Sequence, residues 1–298
     1  MKIYLYIIII FIFIVAYENN SYGQFQFNSI YNNPSFNLHD ALMKSTFLLK
    51  GDDSSGNEIS GTCFLLKKSA TINDSKENLL LITAHHVLKD IHDEYIVLDY
   101  PDFIENNYIK KKKSIRIRNN GLPLWESLQD SIVDVAAIKL NINDFRIERE
   151  LTTEYLADEN VLKFFNLNTG DNLFCIGFPE GISSNEFGFP ILKSGIISSY
   201  PIVPSELYKY FLLDCEVFPA SSGSPVYLRQ SGRYYNDDLG QIYDSNIIQF
   251  ICGIVVSKTF VDVRTDSTES DIDTNKISIQ VAKVIPSTFI IEVINQID

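Results

Sequence analysis

After Gln24 the chain runs in short apolar stretches broken by Gly, Asn, Asp and Pro, and long helical periodicity is scarce. Such runs suit half-buried or buried strands, whereas alternating βαβ units would need amphipathic helices between them. The pattern therefore predicts an all-β fold. Candidate strands are 61–67, 79–83, 95–98, 114–118, 133–140, 172–177, 194–199, 211–217, 225–228, 247–257 and 277–284. Helix is expected in part of 144–165 and over 287–296. In the second stretch Pro286 and Ser287 are start signals, and Phe289, Ile290, Val293, Ile294 and Ile297 fall at helical spacing. The more polar stretch 146–165 divides the chain into two halves. Residues 24–40, with Phe25, Phe27, Tyr31 and Phe36, read as a packing or assembly arm, or as a strap across the barrel.

Lys2 precedes an apolar run, 3–16, that is shorter than the roughly 20 residues a membrane span needs. It reads as a signal peptide, with Ser21 and Gly23 at the small-residue positions before a cut at Gln24, so that residues 1–23 are removed. A cut after Ala16 and an uncleaved anchor are the alternatives. The mature chain, 24–298, is then expected to be secreted or periplasmic and free of the membrane. Cys63, Cys175, Cys215 and Cys252 could oxidise in such a compartment. Each lies inside an apolar run, however, and reads as a small buried hydrophobe, with Cys215–Cys252 the preferred bridge if one forms. With 298 residues and 45% hydrophobic content the chain can build one large core or two smaller ones. Its net charge of −13 argues against a nucleic-acid partner. The basic run from Lys110 to Lys113, followed by Ile115 and Ile117 alternating with Arg116 and Arg118, fits a strand with one solvated face at a sheet edge.

Three segments carry the chemistry: LLLITAHHVL at 79–88, SIVDVAAIKL at 131–140 and DCEVFPASSGSP at 214–225. A serine hydroxyl is a poor nucleophile until an imidazole takes its proton, and the imidazole needs a carboxylate to fix its tautomer and stabilise its charge. His86, Asp134 and Ser222 supply these groups in the order His, Asp, Ser, with gaps of 48 and 88 residues. Asp130 reads as a turn residue, and His39 and His92 as surface or loop histidines.

From about Gly61 to Ile297 these segments resemble the trypsin-like serine peptidases of bacteria, in particular the HtrA-like branch without an appended PDZ domain. Further points of likeness are GTCFLL at 61–66, GDNLFCIGFPEG at 170–181, SGIIS at 194–198 and CGIV at 252–255. The resemblance implies two six-stranded antiparallel β-barrels, at about 41–145 and 166–285, joined by a linker at about 146–165 and followed by the C-terminal helix. It implies His86 as general base, with His85 in the variable position of Thr-Ala-x-His and the alternative base. Asp134 is then the orienting carboxylate, and Ser222 the nucleophile. The backbone N–H groups of Ala220 and Ser222 would form the oxyanion hole. Here the chain departs from the family, which has Gly at position 220, where positive φ is cheap, and Asp or Asn at position 221. Glu216, six residues before Ser222, would sit at the base of the primary specificity pocket and attract Lys or Arg side chains. Gly253, Ile254 and Val255 would line the substrate cleft. No metal or organic cofactor is implied, and the oligomeric state stays open. The expected activity is a serine endopeptidase cutting proteins or peptides through an acyl-enzyme. A catalytically silent peptide-binding module and an esterase on the same triad are the alternatives.

Overall fold

The computed structural model describes residues 30–68, 78–145, 151–236, 242–244, 247–263 and 275–297. The expected signal peptide, with Lys2, Ser21 and Gly23, and the arm residues Phe25 and Phe27 lie outside the described residues.

The first half is built on a sheet of seven strands: β1 (Thr46–Asp52), β2 (Glu58–Lys68), β3 (Asn78–Thr83), β4 (Tyr95–Ile104), β5 (Asn107–Arg116), β6 (Glu126–Ser127) and β7 (Ala136–Leu140). Their order is β5-β4-β1-β2-β3-β7-β6, so a seven-stranded sheet stands where six strands were expected. The extra strand, β6, pairs with β7 through two residues, Glu126 and Ser127. Neither β6 nor β1 stands out in the sequence: β6 is only two residues long, and Thr46 of β1 follows the helical Ser45 with no Gly or Pro between them to signal the change. Leu79 through Thr83 are buried throughout, so β3 is covered on both faces and its apolar run is unbroken. The basic run lies on the edge strand β5, where Lys110, Lys111 and Lys113 pair with Asp99, Asp102 and Asp144 at 3.1, 2.9 and 2.6 Å. That is the solvated, charged edge its alternation predicts.

The second half closes into a six-stranded barrel of β8 (Asn172–Gly177), β9 (Ile191–Ile197), β10 (Phe211–Asp214), β11 (Pro225–Gln230), β12 (Ile248–Val263) and β13 (Asn275–Pro286). The order around it is β8-β9-β10-β13-β12-β11. The α-helices that decorate the strands include α1 (Leu38–Ser45), α2 (His85–Asp90), α3 (Glu159–Phe164) and α4 (Ser287–Ile294). The C-terminal helix α4 leaves the barrel and returns to the first lobe, where Phe289, Ile290, Val293, Ile294 and the following Ile297 join the first core. Full burial of such side chains stabilises by about 2 kcal/mol each, enough to hold the two lobes in one register. Among the described residues no helix is long and apolar enough to cross a membrane.

Two segments tie the lobes together. The stretch expected as a polar linker buries Leu151, Tyr155, Leu156, Ala157, Val161, Leu162 and Phe165, because it runs in the seam and not over the surface. Thr152 bridges to Lys67 of β2 and Leu156 to Ile251 of β12. The N-terminal arm is a strap from Tyr31 onward: Tyr31 packs edge-on against Phe165 and Phe250, while Phe36 stacks on Tyr155 at 4.7 Å. The fully buried Gln249 pins it, accepting from the Leu38 N–H at 3.0 Å and donating to the Asn33 and Phe36 carbonyls at 3.1 and 2.7 Å.

Candidate active site

His86 is the second residue of α2, which begins one residue after β3 ends at Thr83. Asp134 sits in the turn before β7, the strand that pairs with β3, so the sheet brings the two together across 48 residues of sequence. One carboxylate oxygen accepts from the His86 Nδ1–H at 2.5 Å, and the other accepts from the His86 backbone N–H at 2.8 Å. Both ring plane and helix start are thereby fixed, and Nε2 is left as the basic nitrogen. Burial disfavours the charged imidazole, but the hydrogen bond and charge of Asp134, with the charge of Asp90, outweigh it and raise the His86 pKa above its ordinary value. Burial likewise pushes the Asp134 pKa up, and the His86 hydrogen bonds and charge overcome this and hold it low. His85 makes no such bond; its ring lies 6.3 Å from that of Trp125, and burial lowers its pKa.

Arg118 secures the other end of α2. Its guanidinium donates to the carbonyls of Leu88, Lys89 and Ile91 at 3.3, 3.3 and 3.0 Å and lies over the Trp125 ring at 4.7 Å. A cation there satisfies carbonyls that a helix end leaves open and opposes the negative pole of the dipole. Asp130 is the turn residue expected, accepting from the Ile132 N–H, and it also pairs with Lys209 of the second lobe.

Ser222 lies on the loop between β10 and β11, and β2 of the first lobe holds that loop. The Thr62 N–H donates to the Ser222 carbonyl and the Thr62 hydroxyl to the Ala220 carbonyl, both at 2.8 Å. That hydroxyl also accepts from the Phe178 N–H at 3.2 Å, and Thr83 Oγ1 donates to the Thr62 carbonyl at 2.7 Å. The loop approaches so closely that a side chain at Gly223, where φ is +93°, would collide with the Thr62 carbonyl. Ala220 adopts φ +64°, the left-handed conformation that the family reserves for glycine. The N–H groups of Ser221, Gly223 and Ser224 all donate to backbone carbonyls. Among the described residues, those of Ala220 and Ser222 donate to none, which is what a pair of oxyanion donors requires. The Ser222 hydroxyl donates to the Val256 carbonyl at 3.0 Å, and among the described residues no hydrogen bond joins it to His86.

A cavity of about 10 Å³ beside this loop is lined by Cys175, Lys193, Cys215, Glu216, Ser221 and Val255, among others. It holds about one water. Glu216 therefore does line a cavity next to the nucleophile loop, but its side chain is exposed and its carbonyl accepts from Lys193 Nζ. Gly253 and Ile254 lie elsewhere: both are buried and paired on either side, to β11 and to β13. Val255 alone of that trio lines the cavity, and both its backbone groups are occupied, the N–H donating to the Ser224 carbonyl and the carbonyl accepting from the Gly223 N–H. The strand meets Ser222 one residue later, at Val256.

All four cysteines are free and buried. The close pair is Cys175 and Cys215, Sγ···Sγ 3.6 Å, and not Cys215–Cys252, because β8 and the end of β10 flank β9 and the two thiols meet over its side-chain-free Gly195. His39 is not a surface residue. It is half-buried, bonded through Nδ1 to the Tyr227 hydroxyl at 2.5 Å. Thr62 and Arg118 were missed as positioning residues; the one signal for Thr62 was a polar side chain inside an apolar strand, which buries only if it has partners.

An imidazole held by a carboxylate on one β lobe, with a serine loop on the other clamped to the same lobe, defines a peptidase of the trypsin-like class. Residues 61–234 match the family described as trypsin-like peptidase domain, and the chain belongs to that family. No curated protein sequence matches the chain. Similar solved structures include the protease Anisep from Arthrobacter nicotinovorans, at 12% identity over 86% of this chain and 96% of that one, TM-score 0.46. Others are the thermostable serine protease AL20 from an extremophilic microorganism, at 12% identity, 86% and 97% coverage and TM-score 0.43, and the scabies mite inactivated protease paralogue S-I1, at 12% identity, 85% and 94% coverage and TM-score 0.47. None of these likenesses bears on the activity of this chain.

Proposed function

We propose that the protein is a secreted or periplasmic serine endopeptidase that cuts protein or peptide substrates through an acyl-enzyme on Ser222. The observation that carries this reading is the doubly bonded His86–Asp134 pair on the lobe whose β2 clamps a serine loop with two uncommitted N–H groups. In the reaction Ser222 Oγ leaves the Val256 carbonyl, gives its proton to His86 Nε2 and attacks the substrate carbonyl. The N–H groups of Ala220 and Ser222 take the charge on the tetrahedral oxygen, and His86 returns the proton to the leaving amine. Asp134 stays ionised and stabilises the imidazolium. Export rests on the apolar N-terminal run alone.

The bond from Ser222 to Val256 favours a second reading, a silent member of the fold that binds peptides without cutting them. A fluorophosphonate probe separates the two. Labelling of the folded protein that Ser222→Ala abolishes supports the peptidase, and labelling absent from the native protein, or surviving in Ser222→Ala, overturns it. Comparison of matched ester and peptide substrates then separates an esterase from a peptidase.

A further inference from the structure

Cys175 and Cys215 belong to none of the chemistry above, yet they are placed where chemistry would have an effect. Cys175 lies on β8 and Cys215 one residue past β10, and both line the cavity beside the Ser222 loop. Their sulfurs are 3.6 Å apart, against about 2.05 Å in a disulfide, so closing the bond needs a movement of about 1.5 Å. The fold makes room for that approach at Gly195 of β9, the strand between them: a side chain there would come within 2.8 Å of the Cys215 Cβ. Cys63 and Cys252, the other two, are fully buried, with thiol pKa values raised by burial.

Cys215 is the thiol prepared to react. Its hydrogen bond with the Cys175 thiol holds its pKa below the ordinary thiol value against burial, and the nearby Lys193 ammonium acts in the same sense. Burial and that same bond raise Cys175, which therefore stays a thiol and serves as the resolving partner.

We propose that Cys175 and Cys215 are a peroxide-sensitive dithiol whose oxidation locks the cavity wall beside the nucleophile loop. Hydrogen peroxide, with only two heavy atoms, is the oxidant that a small widening of this one-water space admits, where a bulky disulfide such as oxidised glutathione does not enter. The Cys215 thiolate attacks one peroxide oxygen and the O–O bond breaks, giving a sulfenic acid and hydroxide. The Cys175 sulfur then displaces the sulfenic hydroxyl as water, forming the S–S bond. Overall two thiols and one peroxide give one disulfide and two waters; the sulfurs lose two electrons and the peroxide gains them. The bond ties β8 to the segment that runs from Cys215 through Glu216 and Val217 to Ser222.

The test treats the full mature chain with hydrogen peroxide, blocks remaining thiols with iodoacetamide under denaturing conditions and maps the peptides. A Cys175–Cys215 cross-link, with Cys63 and Cys252 alkylated, is expected, together with slower hydrogen exchange across 216–222 in the oxidised protein. Alkylation of both Cys175 and Cys215 after peroxide, or a cross-link that leaves exchange across 216–222 unchanged, overturns the proposal. These readouts do not depend on activity. The effect on turnover rests on the peptidase reading: kcat/KM should fall at least about tenfold on oxidation, since displacements of about 1 Å near a site cost up to about 10²-fold, and dithiothreitol should restore it. In Cys215→Ser the ratio of treated to untreated rate should stay near one. An equal peroxide response in Cys215→Ser would overturn the assignment of the reactive thiol.

Discussion

Replacing Ala220 with glycine isolates the one backbone position where this chain departs from its family and pays for it in strain. Ala220 holds φ +64° and is 7% exposed, so its methyl group sits in a left-handed turn next to the nucleophile. A left-handed conformation costs a residue with a Cβ about 1–2 kcal/mol relative to glycine. The new glycine gives back about 0.4–1 kcal/mol through the greater freedom of the unfolded chain. Ala220→Gly should therefore stabilise the protein by up to about 1.5 kcal/mol, read as a higher urea midpoint at unchanged slope. Turnover on a cleavable peptide should change by less than about threefold, because the two donors already stand free on either side of the turn. Clear destabilisation would show that the methyl contact outweighs the strain. A rate gain approaching the 10²–10³-fold attached to a whole oxyanion donor would show that the resting loop lacks the active geometry.

The remaining predictions follow from the site's bonds. His86→Ala should lower kcat as far as loss of Ser222 does, since base and nucleophile act as a unit, while His85→Ala should cost far less; equal losses would remove the assignment of the base. His86 carries a pKa raised above the ordinary imidazole value of about 6.5, so its neutral, proton-accepting form is lost on acidification through a midpoint above about 6.5. Asp134→Asn should bring that midpoint down as well as slow the reaction, and a kcat/KM profile flat to about pH 5 would contradict a histidine base. Thr62→Val keeps the shape of the side chain but strips the Ala220 carbonyl of its donor and the Phe178 N–H of its acceptor. Two buried groups left open cost about 1–3 kcal/mol each, so the urea midpoint should drop clearly, and Thr62→Ser should recover most of the loss; a neutral Thr62→Val would mean the clamp is not holding the loop.

The features legible in residue order are local. Apolar runs of strand length, the punctuation between them and the helical spacing after Pro286 gave most strands and the C-terminal helix, because burial on one or both faces writes itself into residue order. The motifs around His86, Asp134 and Ser222 were legible for a related reason: the chemistry demands particular side chains, and few substitutes exist. Strand β1 was not legible, since nothing between Ser45 and Thr46 marks the change from helix to strand. Which groups meet is set by the way the chain folds back on itself. The polar-looking linker is buried because it runs between two lobes, Cys215 meets Cys175 across the bare Gly195 of the strand between them, and Gly253 and Ile254 are enclosed by neighbouring strands. The bond of Ser222 to Val256, the clamp of Thr62 on its loop and the left-handed turn at Ala220 belong to the same class. Each is a contact between segments far apart in sequence or a torsion that such contacts enforce, and a linear pattern carries no record of either.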